Sequence, residues 1–71
     1  MVDTPLERLS PREREVLHLV VSGQTSKQIA AQLGITPASV DSYRSRIMTK
    51  LQVDNVAGLV RVAIRHGLVT P

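Results

Sequence analysis

Helix punctuation constrains this chain more than any other feature: four segments each open on a capping residue, and most close at a glycine or a polar break. In Ser10-Pro11-Arg12-Glu13 the hydroxyl can cap the amide three residues on, proline takes the first helical position, and Glu13 can reach back to Ser10. A helix over 10–22 follows, with Leu9, Val16, Leu17, Val20 and Val21 as its apolar stripe and Gly23 as its stop. Thr25 or Ser26 caps a short second helix over 27–33, where Ile29, Ala30 and Leu33 face inward and Gly34 terminates. Thr36 and Pro37 then open a third helix that runs to Leu51. After a break at Gln52 and Val53, Asp54 caps a fourth helix over 55–66, Gly67 stops it, and Leu68 and Val69 fold back on the core. No segment alternates polar and apolar residues over a useful length, so the expected fold is all-α with four helices.

A chain of 71 residues makes one domain at most. Residues 1–7 carry a proline and few apolar side chains and read as a flexible leader or linker remnant, which leaves 8–71 as the domain. Its small core leaves no room for an enclosed active-site cavity. With no cysteine, and with His18 and His66 far apart, neither disulfides nor a metal site are expected. No triad, paired-carboxylate site or glycine-rich phosphate loop occurs at a usable spacing, so the chain is not expected to be an enzyme or to need a cofactor. The apolar runs are too short for a membrane span or a secretory signal, which makes the cytoplasm the expected location. A formal charge of +3 suits an anionic partner without demanding one.

Two short helices joined by a corner containing glycine, the second with a polar outer face, match the helix-turn-helix arrangement. Ala30 allows close approach, Gly34 turns the chain, Ile35 plugs the corner, and Val40 anchors the third helix. The bland alternative is a helical hairpin in a small bundle. The third helix favours the first reading, because Val40, Ile47 and Leu51 share one stripe while Asp41, Ser42, Ser45, Arg46 and Thr49 project elsewhere. Hydroxyls are mediocre helix formers but suit a helix lying deep in the major groove of double-stranded DNA, where Arg can bind guanine, Asp can accept from cytosine, and Ser can do either. These five are the candidate base readers. Asp41 would also repel phosphates, so its alternatives are an intramolecular Arg partner or a device against wrong sequences.

Candidate phosphate-binding residues surround that helix: Thr25, Ser26 and Lys27 at the start of the second helix, and Lys50 near the end of the third. Tyr43 could hold a phosphate through its hydroxyl or be a half-buried packing residue with a wet tip. Arg44 lies on the flank between core and surface, where its stem can pack and its head can reach backbone or DNA. In the fourth helix Val56, Leu59, Val60, Val62, Ala63 and Ile64 spread over about 200° of the helix, more than one core contact covers. An exposed strip at Val56, Val60 and Ile64 would make a dimer contact matched to two DNA half-sites; alternatively Leu68, Val69 or the first helix covers it.

The run Leu9-Ser10-Pro11-Arg12-Glu13-Arg14-Glu15-Val16-Leu17, the segment Gly23-Gln24-Thr25-Ser26-Lys27-Gln28-Ile29-Ala30 and the third helix from Ser39 to Leu51 resemble the C-terminal DNA-binding domain of LuxR-type regulators, including response regulators of the NarL and FixJ kind. Leu59-Val60-Arg61-Val62-Ala63-Ile64 followed by Gly67-Leu68 resembles the last helix of that family, an ending that region four of bacterial sigma factors lacks. The resemblance implies a helix-turn-helix output domain of a two-component response regulator, or a stand-alone regulator, that controls transcription. It implies that positions 41, 42 and 45 face bases, that the corner at Thr25 to Lys27 together with Tyr43 and Lys50 holds backbone, and that the fourth helix is the homodimer surface. A contact with RNA polymerase is a further partner that it allows. The rival readings are a helical protein-docking module and a promoter binder like sigma region four.

Overall fold

In a computed structural model that describes residues 5–67, a 3-10 turn, Pro5–Arg8, precedes four helices: α1 (Pro11–Val21), α2 (Ser26–Leu33), α3 (Pro37–Leu51) and α4 (Val56–Arg65). There is no strand among the described residues. Each start is made by the local chemistry of its cap. Ser10 Oγ accepts from the Glu13 amide at 3.2 Å while Glu13 Oε1 accepts from the Ser10 amide at 2.8 Å. Thr25 and Gln28 form the same reciprocal pair at the head of α2. Thr36 caps α3 through the Ser39 amide, with Pro37 as the first helical residue.

The fourth helix departs from the expectation by one residue. Asn55, rather than Asp54, is the cap: its backbone is extended and its Oδ1 accepts from the Gly58 amide at 2.8 Å, while Asp54 Oδ1 accepts from the Asn55 side chain. Gly58 is required there for close approach, since a Cβ would lie 2.9 Å from Val53 Cβ. The helix accordingly starts at Val56, and its regular turns end at Arg65 instead of His66. The expected leader is also structured at its end, where the turn Pro5–Arg8 packs on α3 just before buried Leu9. The expected fold-back of Leu68 and Val69 lies outside the described residues.

Helix α1 touches each of the other three helices, which widens its buried arc beyond the expected stripe to include Leu19, while Val21 stays half-buried. Leu17, Ile29, Ile47, Leu59, Val16 and Val40 form the fully buried centre, with one or two contributed by every helix. Burying a side chain of this kind stabilises by roughly 1.5–3 kcal/mol, so six of them carry much of a domain this small. The corner between α2 and α3 is built as its residues suggested. Gly34 is left-handed (φ 70°), the Ile35 amide bonds back to the Ala30 carbonyl at 3.0 Å, and Ala30 and Val40 are buried beneath. Between α3 and α4 the same left-handed turn is made by Gln52 (φ 58°), and the Val53 amide bonds to the Met48 carbonyl.

Candidate nucleic-acid interface

Helix α3 is divided lengthwise. Val40, Ile47 and Leu51 are buried, whereas Asp41, Ser42, Ser45, Arg46 and Thr49 are all exposed. At about 100° of rotation per residue these five side chains lie within an arc of about 140° on the face away from the core. Their hydrogen-bonding capacity differs. Thr49 Oγ1 donates to the Ser45 carbonyl at 3.0 Å, which leaves its oxygen as an acceptor, while Ser42 and Ser45 keep exposed hydroxyls. The Arg46 guanidinium stands 5.3 Å from the Tyr43 ring centroid, close enough for a cation–π contact that steers the long side chain along the helix. The Tyr43 ring itself is half-buried and packs against the core.

The phosphate-binding candidates gather at two places, and several are engaged within the domain. Thr25 uses its oxygen as the α2 cap. Ser26 Oγ donates to Asp41 Oδ1 at 2.8 Å and accepts from Arg44 Nη1 at 3.2 Å. Lys27 stands exposed on the first turn of α2, beside the amides at that helix's positive end. At the other end of the α3 face, Lys50 Nζ donates to Glu13 Oε1 at 2.7 Å. Glu13 is buried, and its carboxyl is held below its ordinary pKa chiefly by that hydrogen bond and next by the Ser10 amide, against the opposing effect of burial.

Sequence reasoning did not find the Lys50–Glu13 link or the place of Ser26 beside Asp41, whereas an arginine partner for Asp41 was among its alternatives and is met by Arg44 at 3.8 Å. Glu13 was recognised as a capping residue and Lys50 as a surface cation, but they lie 37 positions apart, and no local spacing signals the pair. Arg44 gave a partial signal through its flank position; the structure packs it part-buried against the head of α2. The strip expected to be exposed on α4 is so at two of its three positions. Val56 and Ile64 are 37% and 36% exposed and Val60 is half-buried, beside the buried stripe of Leu59 and Ala63. Among the described residues, no group of acidic or histidine side chains converges as a metal site requires, and no helix is long and apolar enough to cross a membrane.

Two helices locked at a glycine corner, the second turning a polar face outward across its length, define a helix-turn-helix domain. Residues 7–63 match the family of bacterial regulatory proteins called the luxR family, and the chain belongs to that family. It is 42% identical over 69 residues to the transcriptional regulatory protein MctR of Rhizobium johnstonii, covering 97% of this chain and 32% of that protein. It is 38% identical over 66 residues to the response regulator UvrY of Escherichia coli, covering 93% of this chain and 30% of the relative. Among solved structures, full-length FixJ from B. japonicum superposes with a TM-score of 0.83 at 38% identity, over 93% of this chain and 32% of its own. A VqmA–ligand–DNA complex from Vibrio cholera superposes with a TM-score of 0.81 at 26% identity, over 96% of this chain and 28% of its own. The chain thus spans about a third of the length of the relatives it matches.

Proposed function

We propose that this domain binds double-stranded DNA sequence-specifically to regulate transcription, with α3 in the major groove, as the output domain of a response regulator or as a stand-alone regulator. The observation that carries this reading is the outer face of α3, which keeps Ser42, Ser45, Arg46 and Thr49 exposed on a helix whose opposite side is locked into the core. Short donors and acceptors on a rigid helix suit base edges at the floor of a groove. Asp41 stands at the edge of that face nearest α2. Backbone phosphates are held by Lys27 and the amides of the opening turn of α2, including that of Ser26 beside the Thr25 cap, by Tyr43 and, at the other end of the α3 face, by Lys50. A solved neighbour of the same fold, VqmA, was crystallised in complex with DNA, which supports the same partner for this chain.

The exposed Val56 and Ile64 with Val60 between them favour a second copy of the chain as a partner, so that α4 pairs with α4 and two α3 helices meet two half-sites. RNA polymerase is a further partner of a regulator that acts on transcription, and the cytoplasm is where such a regulator meets its DNA.

Fluorescence anisotropy of this chain on random-sequence and enriched duplex DNA across a salt series tests the reading. DNA binding through phosphates is expected to weaken steeply as salt rises, because displaced counterions return. Folded protein that does not bind at low salt, or whose binding ignores salt, would overturn it in favour of a protein-docking module.

A further inference from the structure

The two helices of the helix-turn-helix are tied by a side-chain cluster that core packing does not require. Arg44 Nη1 donates to Ser26 Oγ at 3.2 Å, Ser26 Oγ donates to Asp41 Oδ1 at 2.8 Å, and Arg44 Nη1 lies 3.8 Å from the same carboxylate oxygen. Ser26 is the first residue of α2, while Asp41 and Arg44 stand one turn apart on α3. A hydroxyl carries a single hydrogen, so the chain of bonds has a direction, from guanidinium through hydroxyl to carboxylate. It also has a cost: Arg44 Nε is buried with no acceptor. A buried donor left unpaired is unfavourable, and turning the guanidinium out to water would relieve it. The Asp41 charge and the Ser26 oxygen therefore act together to keep the head of Arg44 in place.

A carboxylate on the groove-facing edge repels phosphates unless a cation neutralises it, and the Arg44 guanidinium does so here. The same oxygen of Asp41 is already occupied by Ser26. What the cluster fixes is the position of the first turn of α2 relative to the face of α3, the two surfaces that must meet backbone and bases together. Resting on the DNA-binding reading above, we infer that Asp41 is a positioning residue. It latches Ser26 and Arg44 so that the head of α2 meets the DNA backbone in register with α3, and it contributes to affinity for every sequence instead of selecting one.

A double-mutant cycle with a conservative replacement tests this on two readouts, using the 71-residue chain. In anisotropy on random-sequence and enriched duplexes, Asp41→Ala is expected to weaken both about fivefold, as loss of one hydrogen bond does, and Ser26→Ala similarly. The double variant is expected to be no weaker than either single one, because the two substitutions remove the same bond. Asp41→Asn keeps an acceptor for Ser26 but loses the charge that helps hold Arg44, so it is expected to weaken both duplexes less than Asp41→Ala does and to keep the enriched sequence of the parent. Asparagine pairs with adenine where a carboxylate accepts from cytosine, so a changed sequence preference in Asp41→Asn makes Asp41 a base reader and overturns the inference.

Urea unfolding midpoints of the parent, the two alanine variants and their double variant separate the latch from the DNA reading. If the parent shows no salt-dependent DNA binding, the DNA reading fails, and the latch is judged on unfolding alone. Non-additive shifts for Ser26→Ala and Asp41→Ala support it, and additive shifts overturn it.

Discussion

Helices α3 and α4 use the same packing rule and expose opposite chemistry. Each buries a stripe against the common core, Val40, Ile47 and Leu51 on α3 and Leu59 and Ala63 on α4. Opposite that stripe α3 presents hydroxyls and an arginine, whereas beside its own stripe α4 presents Val56 and Ile64. A polar face on a locked helix can exchange bonds to water for bonds to a polar groove at little net cost, and its geometry then sets specificity. An apolar strip gains nothing from such a groove and is stabilised by leaving water against a like surface. The contrast teaches that burial alone assigns neither helix a partner; the proposed partners rest on what each helix leaves exposed.

The largest expected effect lies on α4. Ile64→Glu puts a carboxylate into the proposed contact of both copies and is expected to abolish cooperative binding to a paired site, weakening it about a hundredfold, which is about 2.7 kcal/mol. Circular dichroism is expected to keep its helical signal, because the residue is exposed. Unchanged cooperativity would remove α4 from the dimer and erase the contrast with α3.

Next comes the link between the far end of α3 and α1. Lys50→Ala leaves the buried Glu13 charge without its strongest partner. We expect a loss of about 1–2 kcal/mol at neutral pH in urea unfolding, below the range for fully buried pairs because the lysine is 40% exposed. Since the folded pKa of Glu13 is depressed, the stability it contributes is complete above the unfolded value of about 4.3 and is lost as the pH falls through the lower folded value. The parent and Lys50→Ala are therefore expected to converge in stability on acidification; parallel pH profiles would show that the pair does not couple folding to pH.

A smaller effect, confined to sequence choice, is expected on the open face of α3. Ser45→Ala should change stability by no more than about 0.5 kcal/mol. In selection from a random pool it should shift the preferred base at one position of each half-site, with discrimination there falling by about 1 kcal/mol. The smallest effect is at the head of α2. Lys27→Ala is expected to weaken random and enriched duplexes alike by a few-fold and to reduce the salt slope by about 1. Equal behaviour of Ser45→Ala and Lys27→Ala would break the proposed division of this surface into base-facing and backbone-facing parts.

Much of the fold was legible in the sequence because its signals act over three or four residues. The Ser10 and Glu13 box, the Thr36 cap with Pro37 and the turn at Gly34 all appear where local chemistry places them. Competition between neighbouring caps was harder to read: Asp54 and Asn55 are both good capping residues, and it is Asn55 that caps α4, where Gly58 lies close against Val53. The exposed face of α3 could also be read, since helical period alone separates it from Val40, Ile47 and Leu51.

What the sequence determined by itself was therefore the four helices, most of their caps and the main inward stripes, because caps are set by bonds between residues three apart and stripes by the helical period. Only the tertiary structure decided which polar side chains remain available to a partner. Lys50 meets Glu13 and Ser26 meets Asp41 and Arg44 across 15 to 37 positions. Those meetings depend on how the core orients one helix against another, and a side chain reaches its partner only after that orientation exists.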